Sequence, residues 1–221
     1  MSENHTLNNT GIQRLYRTAF ILSMITIVYN LVEGVVSTGY GASDETLALF
    51  GFGVDSFVEV ISGIGIAHMI VRMRKSEYTG IDQFEITALK ITGTVFYLLV
   101  LGIIAGAVLS ISAASKPETT LVGIIVSLIS ITTMYFLYKA KLRVGINLDS
   151  APIISDANCT KTCFYLSFIL LGSSLIYELA KVPYIDALGS LGIAWYAFKE
   201  GREAFEKARN KTMTCSDGCR H

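Results

Sequence analysis

Two pairs of side chains that can bind metal ions lie inside long apolar stretches of this chain. Asp55 and Glu59 are four residues apart in one stretch, and Cys159 and Cys163 have the same spacing in another. In a helix, side chains four residues apart lie on one face. A charged carboxylate at the bilayer centre costs about 2.5–3.5 kcal/mol on insertion scales, so acidic residues there are rare and usually mark a pathway or a site. A functional role is therefore the favoured interpretation of the carboxylates.

The four side chains together predict a metal site. Two oxygens from one helix and two sulfurs from another form a set that suits a tetrahedral ion. Thiolate combined with carboxylate favours zinc or cadmium, whereas magnesium and calcium prefer oxygen ligands alone. The thiols have an alternative interpretation as buried packing residues, because free cysteine is cheap to bury.

The elements that carry these pairs are predicted to be membrane helices. The chain has 221 residues, of which 52% are hydrophobic and 16% are charged, and the apolar residues form long runs. A membrane span needs about 20 mostly apolar residues. We therefore predict an all-α integral membrane protein with six transmembrane helices, which cover roughly residues 15–39, 46–71, 86–113, 119–138, 152–180 and 183–199.

Orientation follows from the basic residues, because lysine and arginine are retained on the cytoplasmic side. Most of the 18 lie in the N-terminal tail, the second and fourth loops and the C-terminal tail, and Lys141 is placed in the fourth loop. We therefore expect both termini in the cytoplasm. The expected organisation is a cytoplasmic N-terminal tail (1–12), a six-helix transmembrane domain (13–211) and a short cysteine-containing cytoplasmic tail (212–221).

The second and fifth helices should run antiparallel in this topology. Counted from the outer ends, Asp55 lies nearer the level of Cys163 and Glu59 nearer the level of Cys159. The axial mismatch is about one or two turns, which helix tilt can absorb.

Three other polar residues are candidates for roles around this site. Asp156 lies three residues before Cys159 on the same face, where it would attract an incoming cation or orient a ligand. Its alternative interpretation is a helix-end carboxylate in interfacial water. Asn30 and Glu33 form a polar face on the first helix that would line a cavity, or be solvated at the outer interface.

The C-terminal tail contains a second pair of thiols. Cys215, Cys219 and His221 would capture metal in the cytoplasm, where thiols are normally kept reduced. Incidental thiols at an untethered chain end are the alternative. Since the basic residues are explained by topology and form no patch interleaved with aromatic residues, nucleic-acid binding is not supported.

Four stretches of the chain resemble helices of the cation diffusion facilitator family. SDETLALFGFGVDSFVE resembles the second helix of the family and places Asp55 and Glu59 at its two liganding positions. RVGINLDSAPIISDANCTKTC resembles the fifth helix: Asp156 matches a leading aspartate, and Cys159 and Cys163 match histidine and aspartate ligands. FEITALKITGTVFYLL and YIDALGSLGIAWYAFKEGREAFEKA are similar to the third and sixth helices, so the resemblance covers nearly the whole chain.

The resemblance implies proton-coupled export of zinc or a related divalent metal. The family commonly carries a cytoplasmic ferredoxin-like domain after the sixth helix, and this chain resembles a short member without it. Any homodimer is then expected to form through the transmembrane helices. Cysteine in place of histidine and aspartate makes the site softer, so cadmium, mercury, copper and iron stay open beside zinc.

The sequence therefore predicts a transporter and not an enzyme. A divalent metal ion held between helices 2 and 5 would leave the cytoplasm by alternating access as protons return. The expected partners are the metal ion, protons and the lipid bilayer, with no permanently bound cofactor, and the expected location is the inner cell membrane. Two alternatives are an intramembrane thiol oxidoreductase, although C-x-x-C is the usual redox spacing, and a metal-binding membrane protein that does not transport.

Overall fold

The computed structural model describes residues 2–43, 46–75, 82–113, 120–181 and 184–211. Within those ranges all regular structure is helical, and no strand occurs. The fold class predicted from the sequence is therefore confirmed. The helices are α1 (Ser2–Ser43), α2 (Leu47–Arg74), α3 (Gln83–Ala113), α4 (Leu121–Asn147), α5 (Ala151–Ala180) and α6 (Ile185–Asn210).

Helices α1 to α5 are each long and apolar enough to cross a membrane. They make the chain a multi-pass membrane protein. Helix α6 is comparable in length but does not meet the same hydropathy criterion, because its second half is the charged segment KEGREAFEKARN. Large apolar side chains such as Leu101 and Phe136 are exposed on the outer face of the bundle, as expected for contact with lipid.

Helices α1, α4 and α6 extend furthest beyond the predicted membrane spans, and the continuation of α6 agrees with the amphipathic, charged segment that follows its apolar run. Helix α1 begins at Ser2, so residues 2–12 are helical, and their assignment as a separate cytoplasmic tail stays a prediction. Helix α4 continues to Asn147, and α6 continues to Asn210. The extension of α4 places Lys141 on a helix rather than in a loop, which changes its surroundings completely.

Helix α2 lies at the centre of the bundle. It packs most extensively against α1 and also contacts α3, α5 and α6, while α4 packs against α5 and α3 against α6. Phe52 and Val58 of α2 are fully buried in an apolar cluster with Leu166 of α5 and Ile193 of α6. The central position of α2 lets its polar face meet side chains from several other helices.

Candidate metal site

Helices α2 and α5 bring three of the four predicted ligands together. Ligand atoms of Asp55, Glu59 and Cys163 all lie within 4.8 Å of one another. Asp55 and Cys163 are buried, and Glu59 is half-buried. Two carboxylates and one thiol thus converge inside a membrane bundle, where their burial is costly unless they bind a proton or a cation.

The axial register between the two helices differs from the predicted one. Glu59, expected near Cys159, instead has a ligand atom within 4.8 Å of the thiol of Cys163. Cys159 lines the same cavity and is half-buried, but it is not part of the group of three. A site built on that group therefore has three protein ligands and one coordination position left for Cys159 or a water molecule.

The burial of Asp55 agrees with a cation-binding role. Its Oδ2 is buried and has no hydrogen-bond partner among the described residues. Buried polar atoms are nearly always hydrogen-bonded, and an unpartnered carboxylate oxygen is unfavourable in an apolar interior. A bound metal ion would satisfy this oxygen, so the donor set fits the predicted type of ion.

Helix α1 holds the carboxylate of Glu59 from the opposite side. The Nδ2 atom of Asn30 donates a hydrogen bond to Glu59 Oε2 over 2.6 Å. Asn30 is fully buried, and its Oδ1 has no partner among the described residues. Asn30 therefore orients Glu59, as residues around a metal ligand commonly do.

Glu33 is a third carboxylate near Asp55 and Glu59, and it is buried. Its carboxylate accepts hydrogen bonds from Tyr29 over 2.8 Å and from Ser56 over 3.0 Å. It is 5% exposed, so the helices and not an outer interface form its surroundings. The hydrogen bond from Ser56 ties α2 to α1 beside Asp55, and the bond from Tyr29 holds Glu33 within α1.

A cavity of about 50 Å³ extends from Asp55 and Glu59 toward one end of the bundle. That end holds the C-terminal ends of α2, α4 and α6 and the N-terminal ends of α3 and α5. The volume is sufficient for an ion with one or two water molecules. The charged side chains along its wall are those of Asp55, Glu59, Lys141, Asp156, Glu200, Glu203 and Lys207.

Four of these residues were missed by the sequence interpretation. Glu200, Glu203 and Lys207 occupy one face of α6, and their spacing of three and four residues was a signal that could have identified them. Lys207 contacts Glu203 over 2.7 Å and Ser155 over 3.1 Å. Lys141 had no comparable signal, because it lies in a basic run that topology already explained.

Asp156 lies on the cavity wall and already has a cationic partner, while its role in attracting a metal ion stays a prediction. The Nζ atom of Lys141 is 3.1 Å from Asp156 Oδ1 and 3.0 Å from Oδ2. Both side chains are at least nine-tenths buried. The alternative of a carboxylate in interfacial water does not describe Asp156 in this structure.

A second group of potential ligands joins α2 to the start of α3. His68, Asp82 and Glu85 have ligand atoms within 4.8 Å of one another. Arg72 lies among them, and its Nη1 is 2.9 Å from Glu85 and 3.2 Å from Asp82. The guanidinium group already supplies the positive charge, so this group is a set of ion pairs between helices. Cys215, Cys219 and His221 lie outside the described residues.

Comparison with known proteins agrees with this geometry. The chain is 26% identical over 184 residues to a Xenopus laevis protein named "Transmembrane protein 163", which covers 82% of this chain and 63% of the relative. The matched region thus spans less than two thirds of the length of that relative. The family profile described as "Cation efflux transmembrane domain" matches residues 20–210, which include every proposed ligand within the membrane helices. The chain therefore belongs to the cation efflux family, whose members are transporters and not enzymes.

Proposed function

We propose that this protein exports a zinc-like divalent cation across the inner cell membrane by alternating access, in exchange for protons. Asp55, Glu59 and Cys163 would bind the ion, with Cys159 or water in the fourth position. The observation that carries the proposal is the convergence of these three buried donors between two membrane helices, with one carboxylate oxygen left unpartnered. Membership of the cation efflux family supports the same reaction.

The cavity indicates which side of the membrane the site faces. The end of the bundle toward which it extends also holds most of the basic side chains, including Arg72, Arg74 and Arg143. The positive-inside rule assigns that end to the cytoplasm. In this proposal both termini are cytoplasmic, residues 13–211 form the transporter domain, and the arrangement is the state that receives metal from the cytoplasm.

Proton exchange follows from the chemistry of the ligands. Metal ligands must be deprotonated to bind, so a metal ion entering the site releases protons. Cys163 and Glu59 are neighbours in this group, so a proton held by the thiol or by a carboxylate must leave before a metal binds between them. Because the three groups interact closely, they should titrate as a unit. After the bundle opens outward, returning protons would displace the metal.

The ligand types also set an expected order of metal preference. One thiolate with two carboxylates is softer than an all-oxygen site and harder than a two-thiolate site. Zinc is the first candidate, and cadmium, iron, copper and mercury remain to be compared. A homodimer, if it forms, would use surfaces of the transmembrane helices.

The proposal is tested by metal uptake into proteoliposomes across a panel of divalent ions, with and without a pH gradient. Asp55→Asn and Glu59→Gln should each lower uptake about 100-fold or more, because loss of even a residue that supports a ligand costs 10–100-fold. Glu178→Gln is the matched control: this carboxylate is paired with Lys181 near the far end of α5.

The outcomes separate the rival functions. Uptake that is unchanged in both site variants would refute the proposal. Metal binding without uptake would indicate a protein that binds metal but does not transport it. A thiol oxidoreductase would tolerate Asp55→Asn and lose its activity in Cys163→Ser.

A further inference from the structure

Lys141 is a buried lysine in the wall of the cavity. It lies on α4, and its side chain is 3% exposed. Its ammonium group contacts both oxygens of Asp156 and is 3.0 Å from Thr160 Oγ1. Three donor positions of the ammonium group are therefore directed at α5, one helical turn before the candidate ligands.

The position of Lys141 gives it an electrostatic relation to the metal site. It lines the same cavity as Asp55 and Glu59, so all three side chains share one small, enclosed space. A divalent cation that reaches Glu59 would therefore be repelled by Lys141, because the effective dielectric inside a protein weakens such forces far less than water does. Metal and ammonium compete for the same negative surroundings.

The chemistry of lysine suits a group that moves between two positions. Its ammonium is a point charge on a flexible stem with four carbons, whereas arginine would bind a carboxylate through two fixed hydrogen bonds. A buried ion pair adds little net stability compared with apolar residues of similar volume. Stabilisation of the fold alone is therefore a weak explanation for a buried lysine at this position.

We propose that Lys141 is a tethered cation that neutralises Asp156 while the metal site is empty, and that an incoming divalent ion displaces it from Asp156. Asp156 then contacts the ion on its way to Asp55, Glu59 and Cys163. Lys141 therefore determines specificity: a cation must carry enough charge to replace the ammonium group. This inference rests on the proposed transport function and adds a residue that the ligand set does not include.

The sign of the effect on metal affinity tests the inference. In the full-length protein in detergent, Lys141→Met removes the competing charge and should tighten Zn²⁺ binding about tenfold, the effect of one unit charge acting across the cavity. Lys139→Met is the matched control, because this lysine is exposed on the same helix, beside Tyr135. Its affinity should equal that of the unaltered protein.

A purely structural ion pair gives a different result. Removing Lys141 would then lower thermal stability and leave the Zn²⁺ dissociation constant unchanged or larger. An unchanged or larger dissociation constant in a folded Lys141→Met variant would overturn the inference. The neutral variant Lys141→Gln keeps hydrogen-bonding capacity and provides the same test if Lys141→Met does not fold.

Variants of Asp156 complete a double-mutant cycle with Lys141. Asp156→Asn leaves the ammonium group without its carboxylate and should weaken Zn²⁺ binding about tenfold, and adding Lys141→Met should restore affinity toward the original value. A double variant that binds Zn²⁺ as weakly as Asp156→Asn, or more weakly, would also overturn the inference. If the unaltered protein does not bind metal, the proposed function itself is refuted. If it binds and transports metal normally but Lys141→Met does not change its affinity, only the displacement of Lys141 from Asp156 is refuted.

Discussion

The two thiols of α5 have the same spacing as the two carboxylates of α2 but different surroundings. Cys163 is fully buried beside Glu59, whereas Cys159 is half-buried on the cavity wall. Only the thiol of Cys163 is within 4.8 Å of ligand atoms on both carboxylates. Equal spacing along a helix therefore does not imply equal roles at a site.

This difference leads to unequal effects of two identical substitutions. Cys163→Ser should weaken Zn²⁺ binding about 100-fold, because it removes a ligand, while Cys159→Ser should weaken it about tenfold or less. Competition titration with a zinc indicator measures the Zn²⁺ dissociation constants of both variants. In the unaltered protein loaded with Co²⁺, the thiolate-to-metal charge-transfer band should have the intensity expected for one thiolate ligand. Equal losses, or a band with two thiolates, would favour the four-ligand site predicted from the sequence.

The residues of the candidate site were predictable to different degrees. Asp55 and Glu59 stood out because each is costly to place in an apolar stretch, and no tertiary information is needed to see that cost. The pairing of Glu59 with Cys163 could not be predicted, because the axial register between two helices depends on side-chain packing along their whole contact. Lys141 was missed because its burial depends on how far α4 continues beyond the apolar run.

At the scale of the elements, close packing of α1 on α2 keeps Asn30 beside Glu59. The two helices approach closely at Gly53, where an added Cβ atom would be 2.5 Å from the backbone nitrogen of Thr38 and 2.8 Å from Ser37 Cβ. Backbone atoms cannot give way as the end of a flexible side chain can. Small residues at helix contacts in membranes have this function in general.

Gly53→Ala should therefore destabilise the bundle by about 1–3 kcal/mol, the usual cost of overpacking, even though alanine favours helices. Thermal unfolding in detergent, followed by circular dichroism, should show a lower midpoint. Gly102→Ala is the control, because an added Cβ atom there meets nothing within 4 Å. A Gly53→Ala variant as stable as Gly102→Ala would mean that α1 and α2 are not packed this closely.

The elements were easier to predict than their contacts. The apolar runs located all six helices, since a membrane span has a minimum length that few other segments reach. The ends were less uniform: α4 continues as a polar helix past its apolar run, where hydropathy gives no signal, whereas the amphipathic pattern of KEGREAFEKARNK did predict the continuation of α6. Those polar extensions carry Lys141, Glu203 and Lys207, which is why the sequence interpretation underestimated the charge around the cavity.

At the scale of the whole molecule, the zero formal net charge conceals a division between the two ends of the bundle. The basic residues are concentrated at the end toward which the cavity extends, while the cavity wall itself carries more acidic side chains than basic ones. A cavity lined by acidic groups attracts cations, and low-dielectric walls strengthen that attraction. The basic residues outside are then explained by membrane orientation rather than by binding of an anion.

The orientation and the direction of the cavity can be tested together through Cys159. In a variant with Cys215 and Cys219 replaced by serine, a membrane-impermeant thiol reagent should label Cys159 in inside-out vesicles and label it much more slowly in right-side-out vesicles. Cys163 is fully buried and should stay unlabelled, and Cys159→Ser in the same background provides the control. Because Cys159 lines the cavity below the proposed ligands, Zn²⁺ at saturating concentration should slow its labelling about tenfold or more, since bound ligand blocks access. Faster labelling from the outer face would reverse the assigned orientation, and labelling that is insensitive to Zn²⁺ would separate the cavity from the metal pathway.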